Sequence, residues 1–293
     1  MIDFFETLTH PTIVFLRYAL IAGLLASVSL GMVGTYVVTR RITYIAGAIA
    51  HCVLGGIGAA LYLNYKLGIS WITPMGGAIC AALLAALILG LVNQFARERE
   101  DTLIGALWAV GMAIGLLFIS QTPGYIDPMS YLFGNILLIG KKDLIDIALL
   151  DGCIIVLGLL LYKPLLAVCF DETFAKLRGL PARGLYLLLL VLTALVIVLL
   201  VRLVGIILVI ALLTLPAAIA GHMAKHLWQM MLIAAALSMS FITSGLFISY
   251  DCDLPAGPTI ILLAGAVYLA VLLGKCLLNI QRKRLLSRPR KQA

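Results

Sequence analysis

Long apolar stretches, separated by short polar segments, follow one another along nearly the whole chain. Each stretch has roughly the 20 residues that an α-helix needs to cross a bilayer core of about 30 Å. Helices are the expected spanning element, because backbone in lipid must satisfy its own hydrogen bonds and the alternating pattern of barrel strands is absent. Since 63% of the residues are hydrophobic and only 12% are charged, the sequence predicts an all-α, polytopic transmembrane helix bundle.

The apolar stretches predict nine spans, with eight as the alternative because only Arg202 divides the sixth from the seventh. No segment between the spans is long enough for an independent domain. We therefore expect a single transmembrane domain over residues 1–280 and a basic cytoplasmic tail over residues 281–293. The predicted spans are 12–38, 43–63, 71–95, 102–120, 145–163, 184–201, 203–222, 228–249 and 257–279.

Most of the 21 lysines and arginines lie at alternate span ends or in the C-terminal tail. Because such residues favour the cytoplasmic side of a membrane, this pattern places the C-terminus in the cytoplasm and, with nine spans, the N-terminus outside. Topology and anionic lipid thus explain the formal charge of +8, and nucleic acid is not an expected partner.

The chain carries none of the motifs that mark common enzymes. It has no GxxxxGK[ST] phosphate loop, no HExxH and no GxSxG, and its six cysteines include no CxxC pair. We therefore expect no catalytic residue and no permanently bound cofactor, and any ATP hydrolysis must come from another chain.

The polar loop DETFAKLRGLPARG, residues 171–184, predicts a short amphipathic helix between two spans. Asp171 can cap its start, Glu172 falls in its first turn, and Gly179 followed by Pro181 ends it. In an energy-coupled transporter such a helix can lie in a groove of a cytoplasmic ATPase. The alternative is a solvated helix at the membrane surface.

This loop, VGIILVIALLTLPAAIA at 204–220 and SYDCDLPAGPTIIL at 249–262 together resemble the permease subunits of bacterial zinc, manganese and iron ABC importers. REREDTLIGALWAVGMAIGLLF at 97–118 and SYLFGNIL at 130–137 support the resemblance, which runs from about Arg40 to about Val271. It implies a plasma-membrane channel of two permeases, with two cytoplasmic ATPase subunits and an extracytoplasmic metal-binding protein. The cargo would be zinc, manganese or iron, moved by alternating access.

The resemblance also gives two segments a role. Residues 171–180, with Asp171, Glu172, Ala175 and Gly179, would form the coupling helix that contacts the ATPase. Pro216 interrupts an apolar span that would line or support the pathway, and the hydrogen bond that proline removes predicts a kink near Thr214.

His51 lies within the second predicted span, in RRITYIAGAIAHCVLGG. Without the resemblance, a lone histidine there is more often hydrogen-bonded to a neighbouring helix than a ligand. The resembling family commonly carries an aspartate and a histidine four residues apart in this span, which places both on one face as candidate metal ligands. Here His51 occupies the histidine position, and Gly47 occupies that of the aspartate. A second, non-identical permease could supply the missing acid, which predicts a heterodimer; two copies of this chain are the alternative.

Other ionisable residues are weaker candidates. Asp251 and Asp253 at the external mouth could attract cations, or Asp253 could cap the final helix. Asp151 could face the pathway, although a solvated first turn or a snorkelling position is the favoured reading. His222 and His226, one turn apart near the inner surface, could form an exit-side metal site or simply face solvent.

Two other functions remain open at this point. A related ABC permease for an iron chelate or a corrinoid would share the coupling helix but need a wider pathway with fewer ligands. A proton-driven secondary transporter would need no ATPase and should carry several acids within its spans, where Asp151 is nearly alone.

Overall fold

A computed structural model of the chain describes residues 14–68, 72–95, 100–123, 128–134 and 139–286, and these ranges contain helices and no strand. The helices are α1 (Val14–Arg40), α2 (Thr43–Leu67), α3 (Pro74–Phe95), α4 (Glu100–Ser120), α5 (Pro128–Phe133), α6 (Lys141–Leu160), α7 (Tyr162–Phe170), α8 (Glu172–Leu177), α9 (Ala182–Gly221), α10 (Leu227–Asp251) and α11 (Ala256–Leu286).

The helix bundle predicted from the apolar stretches is confirmed. Within the described ranges, eight helical stretches are long and apolar enough to cross a membrane, and a ninth results if α6 and α7 form one span. These two helices meet at an angle of 74°. The last helix continues through Leu286, so it includes the first residues of the segment expected as a basic tail.

Helix α2 lies in the centre of the bundle, where glycines bring it into close contact with its neighbours. A Cβ atom built on Gly58 would lie 2.5 Å from the carbonyl oxygen of Gly115 in α4, and one on Gly55 would lie 2.8 Å from that of Gly111. On another side of α2, Gly56 faces the backbone of Gly77 in α3. Small residues permit this approach where lipid gives no hydrophobic drive for helix association.

Helix α1 passes into α2 without a loop. The N–H of Arg41 donates to the carbonyl of Val38 at 3.1 Å, and the N–H of Ile42 donates to that of Val37 at 3.0 Å. Arg41 has a φ of 64°, the left-handed conformation that ends many helices in this pattern. Because α2 begins at Thr43, any displacement of the end of α1 acts directly on the start of α2.

The long helix α9 contains two candidate spans, Ala182–Val201 and Val204–Gly221. The helix breaks at Gly205, near the start of the second span, where a φ of 79° and a ψ of 164° are open almost only to glycine. The backbone of Gly205 lies directly against that of Gly134, which follows α5. The sequence predicted this division and, separately, a kink near Thr214; around Pro216 the helix shows no non-helical torsion angles.

Candidate functional site

The His51 imidazole lies at the centre of α2 with 7% of its surface exposed. Its ring stacks on the indole of Trp108 in α4, with centroids 4.5 Å apart and planes inclined by 24°. Within the described part of the chain, His51 Nδ1 has no hydrogen-bond partner. Most buried polar side-chain atoms do have one, so this nitrogen retains an unused capacity to bind.

Trp108 covers Gly47 as well as His51. A Cβ atom built on Gly47 would lie 2.5 Å from Cζ3 of the indole, so any side chain at this position would displace the ring. The Trp108 indole therefore occupies the space next to His51 on the same face of α2. Trp108 could not be identified from the sequence, because nothing in the spacing of the chain links an α4 residue to Gly47.

A cavity of about 340 Å³ reaches this aromatic cover from the end of α2 near Arg40. Gly47 and Trp108 form part of its wall, and Tyr44, which is 70% exposed, and Thr214 form another part. His51 is not among the lining residues, although its ring stacks on the indole that forms part of the wall. Trp108 thus contacts both His51 and the cavity.

Asp151 does not join His51. It lies in α6, which packs chiefly against α1, and only 4% of it is exposed, so the predicted solvated position is wrong. Its carboxylate lies beside Ser29, but the Ser29 hydroxyl donates to the carbonyl of Ala26 at 3.0 Å. Neither Asp151 oxygen accepts a hydrogen bond from the described residues. The first turn of α6 instead carries Asp143, whose carboxylate accepts the N–H of Gly140 at 3.0 Å.

Asp251, the last residue of α10, and Asp253, which follows that helix, are both exposed, as a role at the external mouth requires. The alternative, that Asp253 caps the final helix, is wrong. Asp253 has a φ of 52° and closes the preceding helix, where the N–H of Leu254 donates to the carbonyl of Ser249 at 2.9 Å. This is the usual geometry of a left-handed helix end, with aspartate in the place that glycine most often takes.

The two inner histidines lie at helix ends and are exposed to solvent. His222 follows α9, and its carbonyl accepts a hydrogen bond from Lys275 Nζ at 3.3 Å. His226 precedes α10, and its N–H donates to Gln229 Oε1 at 3.3 Å. Across the described ranges, no three histidine, cysteine or acidic side chains come together as a metal-binding group.

The capped helix predicted in the polar loop is confirmed as α8. Asp171 Oδ1 accepts two backbone N–H groups of the first turn at 2.9 and 3.0 Å. At the other end Gly179 has a φ of 74°, and the N–H of Leu180 donates to the carbonyl of Ala175 at 3.0 Å. Ala175 is fully buried, whereas Phe174 is 47% exposed. One side of α8 is thus fixed to the bundle, and the other offers apolar surface.

Glu172 in α8 forms ion pairs with two basic residues. Lys176 Nζ lies 2.7 Å from one carboxylate oxygen, and the Arg40 guanidinium at the end of α1 donates to the other. The hydrogen bond from Lys176, together with the Arg40 guanidinium, holds the pKa of Glu172 below its usual value. The guanidinium also lies 5.6 Å from the ring centroid of Tyr186 in α9, within the range of a cation–π contact.

A sequence profile of the ABC 3 transport family matches residues 12–275. The chain is 42% identical over 253 residues to a probable metal transport system membrane protein of Chlamydia pneumoniae, with 86% of each chain covered. It is 31% identical to the manganese transport system membrane protein MntC of Halalkalibacterium halodurans, over 87% of this chain and 85% of that protein.

Among solved structures, the chain is similar to PsaBC from Streptococcus pneumoniae, determined in complex with a Fab. The TM-score is 0.80 and the identity 32%, over 92% of this chain and 95% of that one. A putative metal-chelate type ABC transporter in an inward-facing conformation has a TM-score of 0.71, but at 13% identity this match shows only a shared fold.

Proposed function

We propose that this chain is the permease of an ATP-driven importer of zinc, manganese or iron. The premise is that the chain belongs to the ABC 3 transport family, as its motifs predicted. One observation carries the metal part of the proposal. The buried His51 imidazole keeps Nδ1 without a partner among the described residues, at the centre of the bundle. Imidazole is a suitable ligand for several divalent transition metals.

The proposed cycle is alternating access. An extracytoplasmic protein delivers the metal at the mouth where Asp251 and Asp253 are exposed, and their negative charge draws the cation inward. Closure of two cytoplasmic ATPase subunits displaces α8, and the bundle reopens toward the cavity that Trp108 and Gly47 line. The indole leaves His51 during this step, so that the imidazole holds the ion only briefly. Passage requires a ligand strong enough to replace hydration but too weak to retain the ion.

We propose the plasma membrane of a bacterium as the location, with the C-terminus in the cytoplasm. The positive-inside pattern supports this orientation, since it places Arg40, α8 and the final basic residues on one side. The ATPase subunits, a second permease and the metal-binding protein are the proposed partners, and ATP is bound by the ATPase alone.

The second permease is proposed to be a paralogue. Gly47 offers no ligand, and Trp108 occupies the space beside His51, so a carboxylate near the ion has to come from another chain. Purification of the assembled complex with a tag on this chain, followed by mass spectrometry of the intact membrane subunits, tests this point. Two distinct permease masses are expected, and a complex with two copies of this chain alone would contradict the heterodimer.

The experiment that tests the function is uptake into proteoliposomes that contain the permease complex with its ATPase. We expect zinc, manganese or iron to accumulate when ATP and the metal-binding protein are both present, and not when a non-hydrolysable ATP analogue replaces ATP. Accumulation driven by a pH gradient without ATP would favour a secondary transporter. Accumulation of a metal chelate but of none of the free metals would favour the chelate permease.

A further inference from the structure

Arg40 connects three elements at the cytoplasmic end of the bundle. It is the last residue of α1, its guanidinium donates to Glu172 of α8, and the same group lies over the ring of Tyr186 near the start of α9. Its side chain is 22% exposed, so these contacts hold a largely buried charge. Arginine suits such a position because its planar group pairs with a carboxylate and stacks on an aromatic ring at once.

The backbone next to Arg40 leaves little freedom between α1 and α2. Arg41 and Ile42 form the two hydrogen bonds that close the helix end, and α2 starts at Thr43. Gly47 and His51 follow Thr43 by four and eight residues in the same helix. A displacement of the guanidinium is therefore transmitted to α2 through the end of α1 and one tight turn, without an intervening flexible loop.

At its other end, the connection through Arg40 reaches α8, the helix that contacts the ATPase in the proposed function. Glu172 belongs to the first turn of α8, beside the Asp171 cap. The capped ends keep α8 intact as it moves, so the position of Glu172 follows that of the whole helix. Apart from the ion pair, α8 is fixed through Ala175, which is fully buried.

We infer that Arg40 is the positioning residue that couples α8 to α2, so that movement of the ATPase is converted into movement of the helix that carries His51. This inference rests on the proposed function. Arg40 contacts neither ATP nor the metal in this account; it acts through Glu172 at one end and the α1–α2 turn at the other. Without the Arg40–Glu172 pair, the complex should still assemble and hydrolyse ATP but should transport less metal.

The test measures ATP hydrolysis and metal uptake in the same proteoliposomes. For Arg40→Gln and Glu172→Gln we expect the amount of metal moved per ATP to fall at least fivefold, with hydrolysis within about twofold of the wild-type rate. Arg40→Lys keeps the charge but not the planar contact with Tyr186. Its amount of metal moved per ATP should lie between those of Arg40→Gln and the wild type. Lys225→Gln is the control, because it removes an exposed basic side chain outside α1, α2 and α8 and should leave the ratio unchanged.

A second readout does not depend on metal transport. Hydrogen exchange of the purified complex with and without a trapped nucleotide should change at α8 and at the start of α2 in the wild type. In Arg40→Gln the change at α8 should persist and that at α2 should be lost. Equal responses at α2 in both proteins, or an unchanged ratio of metal to ATP, would overturn the inference.

Loss of ATPase binding in both glutamine variants would also overturn the inference, because the pair would then serve docking. The proposed function fails separately, if the wild-type complex hydrolyses ATP but accumulates no metal. In that case the exchange experiment still decides the role of Arg40.

Discussion

Helix α8 and the centre of α2 are built in opposite ways. In α8 both ends are capped, and the Glu172 carboxylate has two basic partners. In the centre of α2 the helix backbone lies directly against its neighbours, but the His51 ring has an aromatic cover and a nitrogen without a described partner.

The difference fits two different tasks. A helix that transmits movement needs a defined shape and fixed points of contact, which caps and ion pairs supply. A residue that binds a passing ion needs a ligand atom that is not already engaged in a hydrogen bond within the protein. The close backbone contacts around α2 hold His51 in place, because they make the helix rigid where this buried side chain is under-satisfied.

The largest change in stability is expected where the close packing of α2 is disturbed. In Gly58→Ala the new methyl group meets only backbone of Gly115, which cannot move without the whole of α4. We expect a loss of about 2–3 kcal/mol in the free energy of unfolding, as for other overpacked sites, measured by denaturation in detergent. Gly105→Ala is the control, since a Cβ there meets no atom within 4 Å. Equal stability of the two variants would contradict the packing described for α2.

A double-mutant cycle at Gly47 and Trp108 sharpens the comparison. Gly47→Asp should destabilise the protein by about 1–3 kcal/mol, because the new side chain displaces the indole. In the Trp108→Ala background the same change should cost less, with a coupling energy of about 1–2 kcal/mol. Thermal unfolding of the four proteins gives this energy. Simple additivity would show that the ring does not occupy the space beside Gly47.

The smallest expected effect concerns the pH dependence at α8. Because the pKa of Glu172 is lowered in the folded protein, its ion pairs stabilise the fold at neutral pH and lose this effect only as the pH falls below the usual glutamate range. For a partly exposed pair the contribution is about 0.2–1 kcal/mol. Melting curves of the wild type and Glu172→Gln should differ at pH 7 and converge in acid. A difference that grows in acid would reverse the sign and contradict the pairing.

Features that depend on neighbouring residues in the chain could be predicted from sequence. The caps at Asp171 and Gly179 are of this kind, since a helix end is closed by hydrogen bonds within a few residues. The apolar stretches gave the spans for the same reason. Asp253 is an exception at short range: prolines after it suggested the start of a helix, whereas its left-handed backbone ends the previous one.

Features that depend on contacts between distant segments could not be predicted. The sequence divided α9 near Arg202, but the left-handed backbone of Gly205 could not be foreseen, because it depends on the contact with Gly134. Asp151 was expected in a solvated turn or a snorkelling position, but the packing of α6 on α1 buries it. Trp108 is the most important omission, since it determines the surroundings of both Gly47 and His51.

The central claim is that His51 takes part in moving the metal. Its most direct test is ATP-driven metal uptake by the reconstituted complex with His51→Ala, compared with Cys52→Ala, a buried neighbour whose thiol donates to the carbonyl of Leu107 at 3.4 Å. We predict that His51→Ala lowers uptake at least tenfold, which is about 1.4 kcal/mol, while the ATPase subunits still assemble. The Cys52→Ala complex should transport like the wild type. Full uptake by an assembled His51→Ala complex would contradict the account and leave His51 with a packing role.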